Sequence, residues 1–190
     1  MMTETVLYLI RHAESAPSRD IAEPEWPLSS EGVSQAARLA AAFDGTEVHA
    51  VFSSPYRRAI DTITPLAIRK GLGVEIVPEL RERKLAGAPV PDWQSAVKQS
   101  WEDPDLALPG GESNRACQRR VLDAVMRLST GHAGRTLAIS SHGNALGLLL
   151  NAIDPSFGYE HWRSMKNPNV FRVLHREGRL AWISNAPTLP

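Results

Sequence analysis

The run Val6-Leu7-Tyr8-Leu9-Ile10-Arg11-His12 decides how the rest of the chain is read. Its first five residues are apolar with no polar alternation, the habit of a strand covered on both faces in a parallel sheet. The run then feeds directly into an arginine and a histidine. In open α/β sheets, ligands gather beyond the carboxyl ends of the strands. The residues that follow each strand are therefore the first place to look for chemistry.

Outward from this run, short β-type stretches alternate with longer helical ones. Ser29-Ser30-Glu31-Gly32 opens a helix in which Val33, Ala36, Ala37, Ala40 and Phe43 recur at helical spacing. A second strand at 48–52 leads into Ser53-Ser54-Pro55, which reads as a cap with proline in the first turn. The helix behind it reaches Lys70, with Pro65 as a kink, and Gly71 and Gly73 precede a third strand at 74–77. Residues 83–110 hold Pro89, Pro91, Pro104 and Pro109, with Trp93 and Trp101 on a short helix, and read as a small lid. A long helix at 112–129, a fourth strand at 136–140 and a helix through 146–150 follow. The chain closes on a hairpin, 170–174 and 180–183, around Arg176-Glu177-Gly178. This alternation predicts an α/β fold: a three-layer sandwich in which helices flank a mostly parallel sheet, as one domain over residues 1–190.

Composition narrows the function classes. The 190 residues carry 21 basic and 21 acidic side chains and are 43% apolar, which excludes a disordered chain and gives no global field for nucleic acid. The single cysteine, Cys117, leaves no internal disulfide, Cys-rich zinc site or CxxC redox pair. Met1-Met2-Thr3-Glu4-Thr5 lacks the basic start of a signal peptide, and no apolar stretch reaches the ~18 residues of a membrane helix. The expectation is a cytoplasmic protein with neither a nucleic-acid nor a membrane partner. His49, His132, His161 and His175 show no metal-ligand spacing, and no P-loop, GxSxG or HExxH pattern is present. Oligomeric state has no signature in the sequence.

Four strand ends offer a chemically coherent set. The first ends in Arg11-His12, the second leads to Arg57-Arg58, the third to Leu80-Arg81-Glu82 and the fourth to Ser141-His142-Gly143. Arginine presents a planar fork of donors that matches phosphate oxygens. A neutral imidazole is a nucleophile available near pH 7, and a second one, if protonated, stabilises charge on a transferring group. A carboxyl group, from Glu82 or the nearby Glu79, suits protonation of a leaving oxygen. Helix N-termini near Pro55 and after His142 would add backbone donors. These parts describe phosphoryl transfer through a phosphohistidine without a metal.

Arg11-His12-Ala13-Glu14-Ser15 resembles the Arg-His-Gly-Glu-Thr signature of the phosphoglycerate-mutase-like branch of the histidine phosphatase superfamily. Ser53-Ser54-Pro55-Tyr56-Arg57-Arg58-Ala59 is similar to its Ser-Ser-Pro-x-x-Arg-Ala segment, Leu80-Arg81-Glu82 to the stretch with the proton donor, and Ser141-His142-Gly143-Asn144 to the second histidine motif. Pro109-Gly110-Gly111-Glu112-Ser113 and Pro27-Leu28-Ser29-Ser30-Glu31-Gly32 match further recurrent elements, all in the expected order.

The resemblance implies that His12 attacks phosphorus, that Arg11, Arg58 and His142 hold the equatorial oxygens, and that Glu82 protonates the alkoxide and then activates water. Gly143 and Ser18 fall on the substrate side, with no metal or cofactor. The implied activity is hydrolysis of a small phosphomonoester. A phosphoglycerate-type mutase and a catalytically silent binding relative are the alternatives. The chain departs from the pattern at Ala13 (usually Gly), at Ser18 (often Asn) and over Arg83-Lys84-Leu85-Ala86-Gly87 (usually acidic, aromatic and Gly-rich). Arg81, Arg83 and Lys84 read as a solvated cluster or as a seat for a second acidic group. Trp93 and Trp101 read as lid packing or as a substrate platform.

Overall fold

The computed structural model describes residues 4–185. Six strands form one mixed sheet in the order β3-β2-β4-β1-β5-β6. They are β1 (Thr5–Arg11), β2 (Ala50–Ser53), β3 (Val74–Ile76), β4 (Thr136–Ser141), β5 (Asn169–Arg176) and β6 (Arg179–Asn185). The first four are mutually parallel, and β5 and β6 extend the sheet antiparallel from the free edge of β1. Six helices accompany it: α1 (Ser30–Ala42), α2 (Arg57–Lys70), α3 (Trp93–Glu102), α4 (Asn114–Gly131), α5 (Gly143–Ile153) and α6 (Tyr159–Arg163).

The apolar run read first from sequence is the centre of the sheet. Leu7, Leu9 and Ile10 are fully buried in β1, and Leu137, Ala138 and Ile139 in β4 beside it. Pleating sends alternate side chains to opposite layers. Leu7, Leu9, Leu137 and Ile139 pack with Val121, Val125, Leu146 and Leu149 of α4 and α5. Ile10 and Ala138 pack instead with Leu39, Ala40, Ile63 and Leu66 of α1 and α2. Each fully buried Leu or Ile contributes roughly 1.5–3 kcal/mol, so the two central strands anchor the three layers. Their register sets Ile10 beside Ser140 and Arg11 beside Ser141, bringing both catalytic-type segments out at one level.

Several local expectations shift. Strands β2 and β3 are shorter than the apolar runs suggested, and α2 begins at Arg57 with Tyr56 as its N-cap, so Pro55 lies outside the first turn. The Ser54 hydroxyl accepts the Tyr56 N–H at 3.2 Å instead of capping the helix, and points its chemistry elsewhere. Helix α4 starts at Asn114 rather than Glu112, capped by Ser113, whose hydroxyl accepts the Ala116 N–H. The hairpin turn places Glu177 and Gly178 at φ 51° and 71°, the consecutive positive values of a tight β-hairpin.

The segment read as a lid is a tethered excursion. Its base is stitched by Gly87 N–H to Pro109 O at 2.8 Å and Glu112 N–H to Lys84 O at 2.7 Å. A Cβ on Gly111 would stand 2.2 Å from the Leu85 carbonyl oxygen, so the two strands of this base meet only because glycine is there. Helix α3 is capped by Asp92 and buries Ala96 and Val97, while Trp101 packs against the α4/α5-side core. Trp93, at the other end of α3, remains 51% exposed.

Candidate active site

The site is assembled at the carboxyl ends of β1, β2 and β4. His12 follows β1 and is 8% exposed. Its Nδ1 lies 2.7 Å from the carbonyl oxygen of Ala13, an acceptor only, so Nδ1 carries the proton and donates it. The lone pair is thereby left on Nε2, which accepts a hydrogen bond from Arg58 Nε at 3.2 Å. Burial and then the Arg58 and Arg11 charges push the His12 imidazole down to about 3, so it is neutral at physiological pH. The Asn167 amide donates to the His12 carbonyl at 2.7 Å, and the Ala13 N–H donates to Thr62 Oγ1 at 2.9 Å. Ala13 is not among the described residues with positive φ, which explains how a methyl group is carried where relatives have glycine.

His142 caps the start of α5 and is completely buried. Its ring centroid lies 5.2 Å from that of His12. Ser54 Oγ, which also accepts from the Tyr56 N–H, lies within hydrogen-bond distance of His142 Nε2, at 2.6 Å. The other ring nitrogen, Nδ1, is buried with no hydrogen-bond partner. Burial, followed by the neighbouring His12, Arg58 and Arg11, holds this imidazole well below its usual range. The second imidazole of the site is therefore neutral, and the positive charge belongs to the arginines.

Arg58, on the first turn of α2, is 4% exposed, whereas Arg57 forms an exposed pair with Asp61. Besides its bond to His12, Arg58 donates to the Glu23 backbone carbonyl at 2.9 Å and to the Glu23 carboxylate at 2.8 Å. Its guanidinium also lies 5.0 Å from the Tyr56 ring and 5.7 Å from that of Trp26. Arg11 donates to the Met165 carbonyl at 2.5 Å, while its Nε is buried and unpartnered. A Cβ on Gly143 would sit 3.3 Å from the Arg11 guanidinium, so Gly143 lets that group lie against the start of α5.

Glu82 and Glu79 are separated by their surroundings. Glu79 pairs with Arg127 at the surface, at 3.1 Å. Glu82 turns to the N-terminus of α5, where its two oxygens accept from the backbone N–H groups of Arg83, Asn144 and Ala145 and, at 3.4 Å, from the Asn144 amide. Its segment is fastened from behind by Arg120, which grips Glu112 with two hydrogen bonds of 2.8 and 2.6 Å and donates to the Glu79 and Arg81 carbonyls. The Gly-Gly-Glu element read at 110–112 is thus a brace for Glu82.

The structure therefore brings His12, Arg11, Arg58, His142, Gly143 and Glu82 to one rim. Ser18 is not joined to them: its hydroxyl accepts the Asp20 N–H at 3.1 Å and its carbonyl accepts from the Trp26 indole, closing a turn in the loop. Arg83, read with Arg81 and Lys84 as a solvated cluster, is only 5% exposed, with Nε and Nη2 unpartnered. Sequence reasoning missed Glu23, Ser54, Tyr56 and Thr62. Ser54 and Tyr56 lay inside a quoted motif, but nothing in the pattern pointed to Glu23. Among the described residues no cluster of three or more His, Cys, Asp or Glu is placed to hold a metal ion.

Fold and site together define an α/β protein with a cluster of two buried imidazoles and two arginines at its strand ends. The chain belongs to the histidine phosphatase superfamily (branch 1), whose profile matches residues 7–183. It is 30% identical over 169 residues to a glucosyl-3-phosphoglycerate phosphatase of Mycolicibacterium vanbaalenii, covering 77% of this chain and 73% of that one. It is 30% identical over 195 residues to a probable phosphoglycerate mutase of Yersinia pestis, covering 94% and 88%. A stretch of 85 residues is 38% identical to an uncharacterised Mycobacterium tuberculosis protein, spanning 43% of this chain and 42% of that one. Among solved structures, a mycobacterial glucosyl-3-phosphoglycerate phosphatase superposes with a TM-score of 0.79 at 23% identity, over 96% of this chain and 99% of that one. Among the described residues no helix is long and apolar enough to cross a membrane.

Proposed function

We propose that this protein hydrolyses a small phosphomonoester through a phosphohistidine on His12, without a metal ion. The observation that carries the reading is the fixed tautomer of His12. Its Nδ1 proton is committed to the Ala13 carbonyl, which leaves the Nε2 lone pair facing the Arg58 guanidinium. A neutral, oriented imidazole beside a buried cation is what attack on a dianionic phosphoryl group requires.

In the first step the Nε2–P bond forms as the P–O bond to the leaving group breaks, and the alkoxide takes a proton from Glu82, which has first picked one up from solvent in place of one of the N–H bonds it accepts. Arg11, Arg58 and His142 hold the three equatorial oxygens, using the buried and otherwise unpartnered Arg11 Nε and His142 Nδ1. In the second step Glu82 takes a proton from water, whose oxygen attacks phosphorus as the P–N bond breaks, releasing phosphate and neutral His12. Gly143 supports Arg11, and Ser18 shapes the loop over the entrance. The same reading places the protein in the cytoplasm, acting on a metabolite and not on nucleic acid.

The likeness to a probable phosphoglycerate mutase keeps one second reading: transfer of the phosphoryl group back to an acceptor hydroxyl. Phosphate release from a panel of sugar, glycerate, nucleotide and aryl phosphates, in excess EDTA, separates the two. Release that survives EDTA and disappears in His12→Ala supports hydrolysis. Isomerised phosphoglycerate without phosphate release would establish the mutase instead.

A further inference from the structure

We infer that this phosphatase takes phosphomonoesters with an aromatic leaving group, seated in a cavity that shares Arg11 with the phosphoryl site; the inference rests on the phosphatase reading. The cavity encloses about 290 Å³ and is lined by Arg11, Trp93, Gln94, Tyr159, Trp162, Arg163 and Met165. That volume lies near the lower end of ligand pockets, ~300 Å³, and suits a leaving group of one or two rings.

Arg11 joins the cavity to the phosphoryl site. It leaves β1 immediately before His12, lies against the start of α5, and forms one wall of the cavity. Its Nη1 is fixed by the Met165 carbonyl, itself part of another wall residue, while its Nε is buried and unpartnered. A phosphoryl oxygen that satisfies Nε brings the ester oxygen to the edge of Arg11, and the group attached to that oxygen passes into the cavity.

The lining fits a flat, polarizable group. Tyr159 and Trp162, from α6, lie 5.6 Å apart with their planes 31° apart. Trp162 is held in place because it rests on Gly147, where a Cβ would come within 2.9 Å of its ring. Trp93, on the first turn of α3, lines the same cavity and is half in solvent although its neighbours Ala96 and Val97 are buried. Of the two tryptophans in the lid segment, Trp101 packs in the core and Trp93 does not. A large ring left exposed in the same cavity as a fixed aromatic pair is a stacking platform that awaits a partner. Gln94 adds an amide for a ring heteroatom. The Arg163 charge is partly answered by Glu160 at 3.2 Å, so the cavity selects by aromatic surface more than by charge.

The test uses the intact protein and two unreactive probes, phenylphosphonate and methylphosphonate, with inorganic phosphate as reference, measured by titration calorimetry. Phenylphosphonate is expected to bind about tenfold more tightly than methylphosphonate. Trp93→Ala should bring that ratio close to one while leaving methylphosphonate and inorganic phosphate unchanged, and Trp93→Phe should restore most of it. Equal binding of the two phosphonates to the wild type, or an unchanged ratio in Trp93→Ala, overturns the inference and leaves the phosphatase reading standing. Failure of all three anions to bind overturns both.

Discussion

Glu23 pairs with the Arg58 guanidinium that the proposed mechanism gives to a phosphoryl oxygen, so removing its charge should tighten the binding of inorganic phosphate. Arg58 has its Nε on His12, its Nη1 on the Glu23 carbonyl and its Nη2 on the Glu23 carboxylate, so three of its five N–H bonds are already answered. A dianion entering the site must displace the carboxylate and is repelled by it. An ion pair at ~4 Å near a surface is worth ~4 kcal/mol at an effective dielectric of about 20. Arg58 is 4% exposed but the Glu23 side chain is 49% exposed, and water on that side screens the pair strongly. The net cost to an incoming anion is then about 1 kcal/mol, or roughly fivefold in affinity. Glu23→Gln keeps the shape and the backbone contact while removing the charge. Its inhibition constant for phosphate, measured as product inhibition at pH 7.5, should fall by roughly three- to tenfold. Glu25→Gln, the exposed acid two residues on, should change it by less than about twofold. An unchanged or weakened phosphate affinity in Glu23→Gln refutes the competition argument.

Other consequences concern protonation and packing. Both site imidazoles are neutral in the folded chain and ordinary in the unfolded one, so unfolding takes up protons below about pH 6.5. Stability should therefore fall as pH drops through 6.5 and keep falling toward about 3, where the folded His12 titrates. By NMR, the His12 and His142 ring nitrogens of the empty protein should show no midpoint between pH 5.5 and 8; a titration near 6.5 in either contradicts the burial argument. Glu112→Gln leaves Arg120 without its partner behind the Glu82 segment, at a cost of about 3 kcal/mol. The melting temperature should drop by roughly 6–12 °C, with kcat reduced more than KM is raised. Gly32→Ala would set a Cβ 1.9 Å from the Glu14 carbonyl oxygen, so the first turn of α1 must move. A loss of about 2 kcal/mol or more by chemical denaturation is expected, and a neutral substitution would show that the loop yields freely.

The parts of this fold that were legible are those where local pattern and burial coincide. The runs ending in Arg11-His12 and Ser141-His142 are apolar because they are β1 and β4, covered by helices on both faces, and strand polarity sends both ends to the same rim. Arg58 was separable from Arg57 only through the resemblance; in the structure the helical turn buries one and exposes the other. What stayed hidden depends on contacts between distant segments. Glu23 reaches Arg58 from a loop with no periodicity, 35 residues away in sequence. Ser54 serves His142 across 88 residues, although its position before a helix suggested a cap. Arg83 looked solvated beside Arg81 and Lys84, yet the turn after Leu80 sends it inward. Charge type on a sequence says little about which way a loop residue faces.

If His12 carries the phosphoryl group, a phosphohistidine can be trapped on it. Protein mixed with a phosphomonoester in excess EDTA and quenched within milliseconds in strong base should carry a phosphoryl group on the His12 peptide. The adduct should survive base, hydrolyse in acid, and be absent from His12→Ala. Steady turnover with no adduct at any quench time, or an adduct on another residue, would contradict the account.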